Sequence, residues 1–178
     1  MNIFVAGVHG VGKTFLASRL PKALGLTQTS ASKLIKDERA LPDWGTDKRV
    51  GDVDANQIAL ANAVTRHNEA GIRLLLDGHF VLLDAQGEFS PLAADVFKAL
   101  RLDGVLLLEA DANTIATRIR ERDGRELDID HTIKFLAAER AQAQLVCDEL
   151  GVSLHILGTC GPDTFAAAVA AVILKADQ

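Results

Sequence analysis

An eight-residue segment near the start of the chain, Gly7-Val8-His9-Gly10-Val11-Gly12-Lys13-Thr14, limits the fold more than any other feature. It matches the pattern G-x-x-x-x-G-K-[ST] in full, and it lies between an apolar run, Ile3–Ala6, and a helix predicted over Lys13–Leu24. Glycines allow backbone N–H groups to converge on an anion, and the helix N-terminus adds the positive end of its dipole. A chance glycine-rich turn is the alternative, which the position between strand and helix disfavours.

The motif predicts a loop that binds the phosphates of a nucleotide. Lys13 is expected to reach the β- and γ-phosphates, and the Thr14 hydroxyl is expected to be a ligand of Mg²⁺. The predicted cofactors are therefore ATP and Mg²⁺. The nucleotide contacts expected from the loop are Gly7, His9, Gly10, Val11, Gly12, Lys13 and Thr14.

Short apolar runs alternate with helical patterns along the rest of the chain. Strands are predicted over Ile72–Leu76, Val105–Leu108 and Leu154–Leu157. Helices are predicted over about 30–39, Val53–Glu69, Pro91–Leu100, about 111–122 and Asp130–Leu150, with a closing helix that has Phe165, Val169 and Val172 on its apolar face. This order predicts an α/β fold in which helices cover both faces of a parallel sheet, within a single domain over residues 1–178.

Composition excludes several classes of function. The formal charge is −5, from 19 Lys+Arg and 24 Asp+Glu, so a general nucleic-acid binder is disfavoured because such binding depends on neutralising phosphates. No apolar run approaches the roughly 20 residues that span a membrane, and no secretory signal is recognisable at the N-terminus. Two cysteines, Cys147 and Cys160, are too few for a disulfide framework, and we expect a cytoplasmic protein with Cys147 in its core.

A second acidic ligand for the metal is expected at the end of a neighbouring strand, and two residues compete for that role. Asp77 follows one apolar strand and precedes a loop, whereas Glu109 follows another strand just before Asp111, which is a good helix cap. Ligands of open α/β sheets bind at the carboxyl ends of the strands, and the pattern favours Asp77. His79, two residues further on, is either a substrate contact or a hydrogen-bonded structural histidine.

Arginines cluster late in the chain. Arg118, Arg122 and Arg125 are spaced i, i+4, i+7, so they share one helix face if the helix persists through Gly124. One interpretation is a solvated helix end, since acidic residues alternate with the arginines. The other is a mobile lid over about 122–128 that closes on phosphates and excludes water.

The long predicted helix places one more arginine, Arg140, within an apolar stripe. The stripe consists of Ile133, Leu136, Ala143, Cys147 and Leu150. An arginine in such a position either extends its charged end to solvent or points into the active cleft, and both interpretations stay open.

Taken together, these residues resemble the P-loop nucleoside monophosphate kinase group, in particular archaeal-type adenylate kinases and the small bacterial ATP-binding proteins related to them. The resemblance follows the chain through the Gly7–Thr14 loop, the Asp77-Gly78-His79 strand end, the Gly87 turn before Pro91, the Arg118–Arg125 lid, and the long helix with Glu139-Arg140. It implies a three-layer α/β/α fold whose five-stranded parallel sheet has the order 2-3-1-4-5, with a short lid. It also implies an acceptor-binding region at about 30–57, with candidate residues Lys33, Lys36, Arg39, Trp44, Lys48, Arg49, Asn56 and Gln57.

The predicted function is ATP-dependent transfer of the γ-phosphoryl group to a nucleoside monophosphate or a similar small acceptor. The catalytic candidates are Lys13, Asp77, Arg118, Arg122 and Arg140; Thr14 and Asp77 are the candidate Mg²⁺ ligands, and Arg118 is also a nucleotide contact. The alternatives are a kinase for a non-nucleotide metabolite or a nucleic-acid end, and a nucleotide-binding regulatory module with weak ATPase activity.

Overall fold

A parallel five-stranded sheet forms the centre of the computed structural model, which describes residues 2–39, 53–84 and 86–176. In chain order the elements are β1 (Asn2–Ala6), α1 (Lys13–Ala17), a 3-10 turn (Lys22–Leu24), β2 (Leu26–Ser30), α2 (Ala31–Arg39), α3 (Val53–Glu69), β3 (Arg73–Asp77), β4 (Val81–Leu83), β5 (Phe89–Pro91), α4 (Ala94–Lys98), β6 (Leu102–Leu108), α5 (Ala112–Asp123), α6 (Ile129–Leu150), β7 (Leu154–Leu157) and α7 (Pro162–Ala176).

The sheet has the spatial order β2-β3-β1-β6-β7, with every neighbouring pair parallel. Counted among its own five strands, this is the order 2-3-1-4-5, so the predicted α/β/α fold is confirmed. The two short strands β4 and β5 pair with each other, antiparallel, in a separate hairpin. Because β1, β3 and β6 lie side by side, their carboxyl ends meet at one edge of the sheet.

Helices cover both faces of the sheet because its central strands alternate their side chains between two apolar layers. On one face Ile3, Val5, Leu75 and Leu106 pack with α1, α5 and α7, and on the other Phe4, Ala6, Leu74 and Leu76 pack with α2, α3 and α4. Phe4 also meets Phe80 edge-on at 5.3 Å between ring centroids, and Phe80 stacks on Phe97 at 4.5 Å. The predicted closing helix buries Phe165, Val169 and Val172, and Cys147 is a core residue as expected.

Prolines account for two differences from the predicted elements. The helix predicted over Lys13–Leu24 ends at Ala17, and a 3-10 turn follows Pro21, which cannot donate a backbone hydrogen bond within a helix. The helix predicted from Pro91 begins instead at Ala94, because Pro91 is the last residue of β5 and pairs with Val81. Both predictions were wrong at these ends.

The first half of the long helix α6 buries a different face from the predicted one. The buried side chains include Thr132, Phe135 and Glu139 as well as Ala143 and Cys147, whereas Ile133 is half exposed. Ala143 and Cys147 of the predicted stripe are buried as expected, but Arg140 is 54% exposed, and the adjacent Glu139 is the buried charged residue. Phe135 belongs to one core layer and Ala143 to the other, which places Glu139 at the point where α6 crosses between them.

Helix α5 ends at Asp123, where Gly124 adopts the left-handed conformation with φ 65°. The segment between α5 and α6 is therefore 124–128, within the predicted lid. Arg125 lies beyond the helix end, so it does not continue the helix face of Arg118 and Arg122 as the i, i+7 spacing required.

No helix in the described ranges combines the length and apolarity needed to span a bilayer. The predicted acceptor candidates Trp44, Lys48 and Arg49 lie outside the described residues.

Asp111 caps α5 as predicted, because its side chain accepts hydrogen bonds from the backbone N–H groups of Asn113 and Thr114 at 2.9 and 3.3 Å. We expect Asp111→Ala to lower the free energy of unfolding by about 1 kcal/mol, measured by urea denaturation. Glu121→Ala, which removes an exposed acid from the same helix, should change it by less than about 0.5 kcal/mol. An equal effect of the two substitutions would contradict the capping role.

Candidate active site

The loop between β1 and α1 adopts a conformation that depends on its glycines. Gly7, Gly10 and Gly12 have φ values of 134°, 83° and 113°, which L-residues rarely adopt. A Cβ on Gly7 would lie 2.4 Å from the carbonyl oxygen of Leu108, so the loop passes directly over the end of β6. The strand, loop and helix thus stand in the arrangement that a phosphate-binding nest requires.

Lys13 opens α1, and its side chain is only 7% exposed. Its ammonium group donates hydrogen bonds to the backbone carbonyls of Gly7 and Val8, and it lies 3.8 Å from a carboxylate oxygen of Asp77. A buried ammonium requires such partners because desolvation of an isolated charge is costly. The lysine is consequently held inside the loop, with its charge directed at the space that the loop encloses.

Asp77 and Thr14 meet at the same edge of the sheet. The Thr14 hydroxyl lies 3.5 Å from a carboxylate oxygen of Asp77. Asp77 reaches this position because it ends β3 beside Val5 and because Gly78 follows it; a Cβ on Gly78 would lie 2.6 Å from the ring of Phe4. Of the two acidic candidates, Asp77 is therefore the one that lies against the loop.

Glu109, the competing acid, is engaged elsewhere. It accepts two hydrogen bonds from the guanidinium of Arg140, the first of them 2.6 Å long from Nε. This bidentate ion pair raises the pKa of Arg140, chiefly through the hydrogen bond. Arg140 thus has an exposed side chain, as one of the two interpretations expects, and its guanidinium is bonded to a glutamate that lines the cleft beside the loop.

The two arginines of α5 face different surroundings. Arg118 Nη1 donates to the backbone carbonyls of Gly10 and Val11, at 3.3 and 2.9 Å, so it lies directly on the loop. Arg122 is 63% exposed and pairs with the neighbouring Asp123, with Nε 2.8 Å from the carboxylate. The hydrogen bond from Arg122 lowers the pKa of Asp123. Only the first of these arginines contacts the loop in this conformation.

Two histidines lie on the side of the loop next to β3. The rings of His9 and His79 are 4.6 Å apart, and His79 Nδ1 is 3.8 Å from the carboxylate of Glu139. His79 is mostly buried, whereas His9 is exposed. Because His9 belongs to the loop and His79 follows Asp77, the two rings form a contact between the loop and the segment after β3.

Glu139 is the residue of this region that sequence reasoning did not single out as a site residue. Its carboxylate is 1% exposed and accepts hydrogen bonds from the backbone N–H groups of Gly7, Phe80 and Val81, at 3.2, 3.0 and 2.8 Å. Burial raises the pKa of Glu139, and the three N–H donors and the nearby Lys13 charge partly oppose that effect. A buried stripe that passes through Thr132 and Phe135 in the first half of α6 would have revealed the buried acid.

A cleft of about 300 Å³ opens beside the loop, between α1, α5 and the segment after β7. It is lined by Val11, Gly12, Phe15, Leu16, Leu108, Glu109, Arg118, Gly158, Thr159 and Cys160. Burial raises the pKa of the Cys160 thiol, so the thiol is protonated at neutral pH. Residues 158–160 were not predicted as site residues, although they follow the fifth strand of the sheet, where ligands of open α/β sheets bind.

The described part of the predicted acceptor region forms internal contacts. Arg39 Nη1 donates to the Asn56 side chain at 2.5 Å and so ties α2 to α3, and Lys33 pairs with Asp37 one turn away. Lys36 and Gln57 are partly buried on the same two helices. Arg39 and Asn56 are therefore close together, as expected if both contact one ligand. In this conformation the two side chains are hydrogen-bonded to each other.

The sheet order, the loop and the helices on both faces define a P-loop protein of the kinase-like α/β class. A family model described as "AAA domain" matches residues 6–134, which is well over half of the chain. The chain therefore belongs to this AAA domain family. No curated protein sequence matches the chain.

Solved structures with the same fold include three small-molecule kinases. The shikimate kinase from Acinetobacter baumannii in complex with shikimate has a TM-score of 0.62 and 17% identity, over 98% of this chain and 93% of that one. A sugar kinase from Janibacter sp. HTCC2649 gives 0.56 and 19%, over 97% and 93%. A gluconokinase from Sinorhizobium meliloti 1021 gives 0.55 and 13%, over 98% and 91%. At these identities the likeness concerns the fold.

Gly7 is the glycine of the loop where substitution is most restricted, since both its φ and the Leu108 carbonyl exclude a side chain. We expect Gly7→Ala to lower the free energy of unfolding by about 3 kcal/mol in urea denaturation. Gly25→Ala is the matched control, because Gly25 also has a positive φ, 68°, but has open space around it. It should cost about 1 kcal/mol. Equal costs would show that the close approach to Leu108 is unimportant.

Proposed function

We propose that this protein is an ATP-dependent phosphotransferase that acts on a small acceptor molecule. The observation that carries the proposal is the convergence of Lys13, Thr14 and Asp77 at the mouth of the Gly7–Thr14 loop. In the transfer, the bond between the γ-phosphorus and the oxygen that bridges to the β-phosphate breaks. A bond from phosphorus to an acceptor oxygen forms, ADP leaves, and a hydroxyl acceptor releases its proton to solvent.

The cleft beside the loop supports a position for the rest of the nucleotide. It adjoins Gly12 and Phe15 at the start of α1, and Arg118 lines it while bonded to the loop carbonyls. A base and ribose in this cleft would leave the phosphates at the loop N–H groups and the helix N-terminus. Its volume of about 300 Å³ suits a ligand of this size that remains partly open to solvent.

The residues at the loop mouth fit a magnesium ion. Mg²⁺ prefers oxygen ligands, and the Thr14 hydroxyl and the Asp77 carboxylate present two of them 3.5 Å apart. When bound, the ion neutralises charge on the β- and γ-phosphates. We assign Thr14 and Asp77 to this ion, and not Glu109, whose carboxylate is bonded to Arg140.

The remaining charged residues have distinct proposed tasks. Lys13 holds the β- and γ-phosphates, and Arg118 stabilises the transferring group from the side of α5. Arg122 acts when the 124–128 segment closes and its contact with Asp123 is exchanged for phosphate oxygens. Arg140 is assigned to holding Glu109 at the cleft wall and not to the phosphoryl group.

Two classes of acceptor are supported by different observations. The kinases of similar fold carry the names of shikimate, gluconate and sugar, which favours a non-nucleotide molecule with a hydroxyl group. The Asp77-Gly78-His79 strand end and the arginines of α5 resemble nucleoside monophosphate kinases, which favours a nucleotide acceptor. For either class we propose that the acceptor binds beside His9 and His79, whose rings are 4.6 Å apart and which are not among the residues that line the cleft.

A panel of acceptors distinguishes these classes. The protein is incubated with Mg-ATP and, separately, with nucleoside monophosphates, hydroxylated carboxylic acids such as shikimate and gluconate, and sugars, while ADP formation is followed. We expect acceptor-dependent ADP formation with one class, and Lys13→Ala should abolish both ATP binding and turnover. ATP binding without stimulation by any acceptor would contradict the phosphotransferase and favour a regulatory module.

The two arginines of α5 should separate binding from turnover. Arg118→Ala is expected to weaken ATP binding by roughly tenfold because it removes a group that contacts both loop and cleft. Arg122→Ala should lower turnover by roughly a hundredfold and leave ATP affinity nearly unchanged. Arg120→Ala, an exposed arginine between them, should alter neither. Equal loss of ATP affinity in the Arg118 and Arg122 variants would argue against the lid role of Arg122.

A further inference from the structure

The buried carboxylate of Glu139 connects two segments that are far apart in the sequence. Its oxygens accept hydrogen bonds from the N–H of Gly7, where the loop leaves β1, and from the N–H groups of Phe80 and Val81, which follow β3. Glu139 itself belongs to α6. One side chain thereby holds the two segments that carry Lys13 and Asp77.

Three contacts restrain Gly7, one each at its N–H group, its carbonyl and its Cα. Its N–H donates to Glu139, its carbonyl accepts from Lys13, and its Cα lies against the carbonyl of Leu108. Movement of the Gly7 peptide would therefore disturb the position of the Lys13 ammonium directly. The other N–H donors, Phe80 and Val81, follow the Asp77-Gly78-His79 turn by only a few residues.

The charge of Glu139 also matters to Lys13. The buried ammonium has Asp77 at 3.8 Å on one side, and Glu139 lies on the other side of the Gly7 peptide. The interaction between the two charges is favourable, because Lys13 stabilises the ionised form of Glu139. When a nucleotide brings its own negative charge to Lys13, hydrogen bonds from three N–H groups keep the Glu139 carboxylate in place.

We propose that Glu139 is a positioning residue for nucleotide binding, which fixes the Gly7–Thr14 loop relative to the segment that carries Asp77. The inference rests on the proposed function. It follows from the geometry of three backbone donors on one buried carboxylate, and it acts through Lys13 and Asp77 because Glu139 lies behind the loop and does not face the cleft.

The test is Glu139→Gln, which keeps the size of the side chain but replaces one acceptor oxygen by an NH₂ donor. That donor must then face the N–H of either Gly7 or Val81, so one of the three backbone donors loses its acceptor and the carboxylate charge is lost. We expect the dissociation constant for Mg-ATP, measured by calorimetry, to rise roughly tenfold or more. The amide resonances of Gly7, Phe80 and Val81 in a ¹⁵N–¹H spectrum of the nucleotide-free protein should move upfield, since a charged acceptor is lost.

Thr132→Val is the matched control. Thr132 is a buried polar residue of the same helix whose hydroxyl donates to the carbonyl of Asp128, one turn earlier in the chain. Its loss should lower the melting temperature without changing the affinity for Mg-ATP. Should Glu139→Gln not fold, Glu139→Asp takes its place, since the shorter acid cannot reach both segments and should also weaken ATP binding.

The outcomes separate this inference from the proposed function. A folded Glu139 variant that binds Mg-ATP as tightly as the wild type, with only a lower melting temperature, would overturn the positioning role and leave the proposed function intact. Failure of the wild-type protein to bind Mg-ATP would overturn both. Weaker binding in the Glu139 variant together with unchanged binding in Thr132→Val supports the proposal.

Discussion

The burial of the Lys13 ammonium is the constraint on which the rest of this site depends. A charge that is 93% hidden from solvent is tolerated only where backbone carbonyls and carboxylates surround it. Those partners come from the loop, from the end of β3 and, one peptide further away, from α6. The sheet order that places β3 and β6 on either side of β1 is what brings these groups to a single point.

Much of this architecture could be predicted from the sequence because it is local or periodic. The glycines of the loop motif predict the conformation of the loop, and the apolar runs predict β3, β6 and β7. Asp111 predicts the start of α5 because it is a good helix cap. The sheet order came from resemblance, since strand neighbours depend on contacts between distant segments. The early end of α1 shows that a helical spacing of leucines does not continue a helix through Pro21, and the late start of α4 reflects the pairing of Pro91 with Val81, which the sequence pattern does not reveal.

What could not be predicted is which side chain pairs with which. Arg140 and Glu139 are adjacent, and a shift of one position in the buried stripe exchanges their environments entirely. The apolar residues of α6 allow either phase, because alanines occur on both sides of the helix. The N–H groups of Gly7, Phe80 and Val81 require an acceptor where α6 passes, and their positions depend on the tertiary structure.

Helix α6 passes from one apolar layer to the other, with Phe135 in the first and Ala143 in the second. A helix that packs on a single face of a sheet can move without exposing the layer on the other face. Here a transient opening of α6 would expose apolar surface on both faces and release the Gly7–Thr14 loop in the same event. Helix α6 thus couples the two core layers to the loop, and its amides and those of the loop should exchange as one cooperative unit.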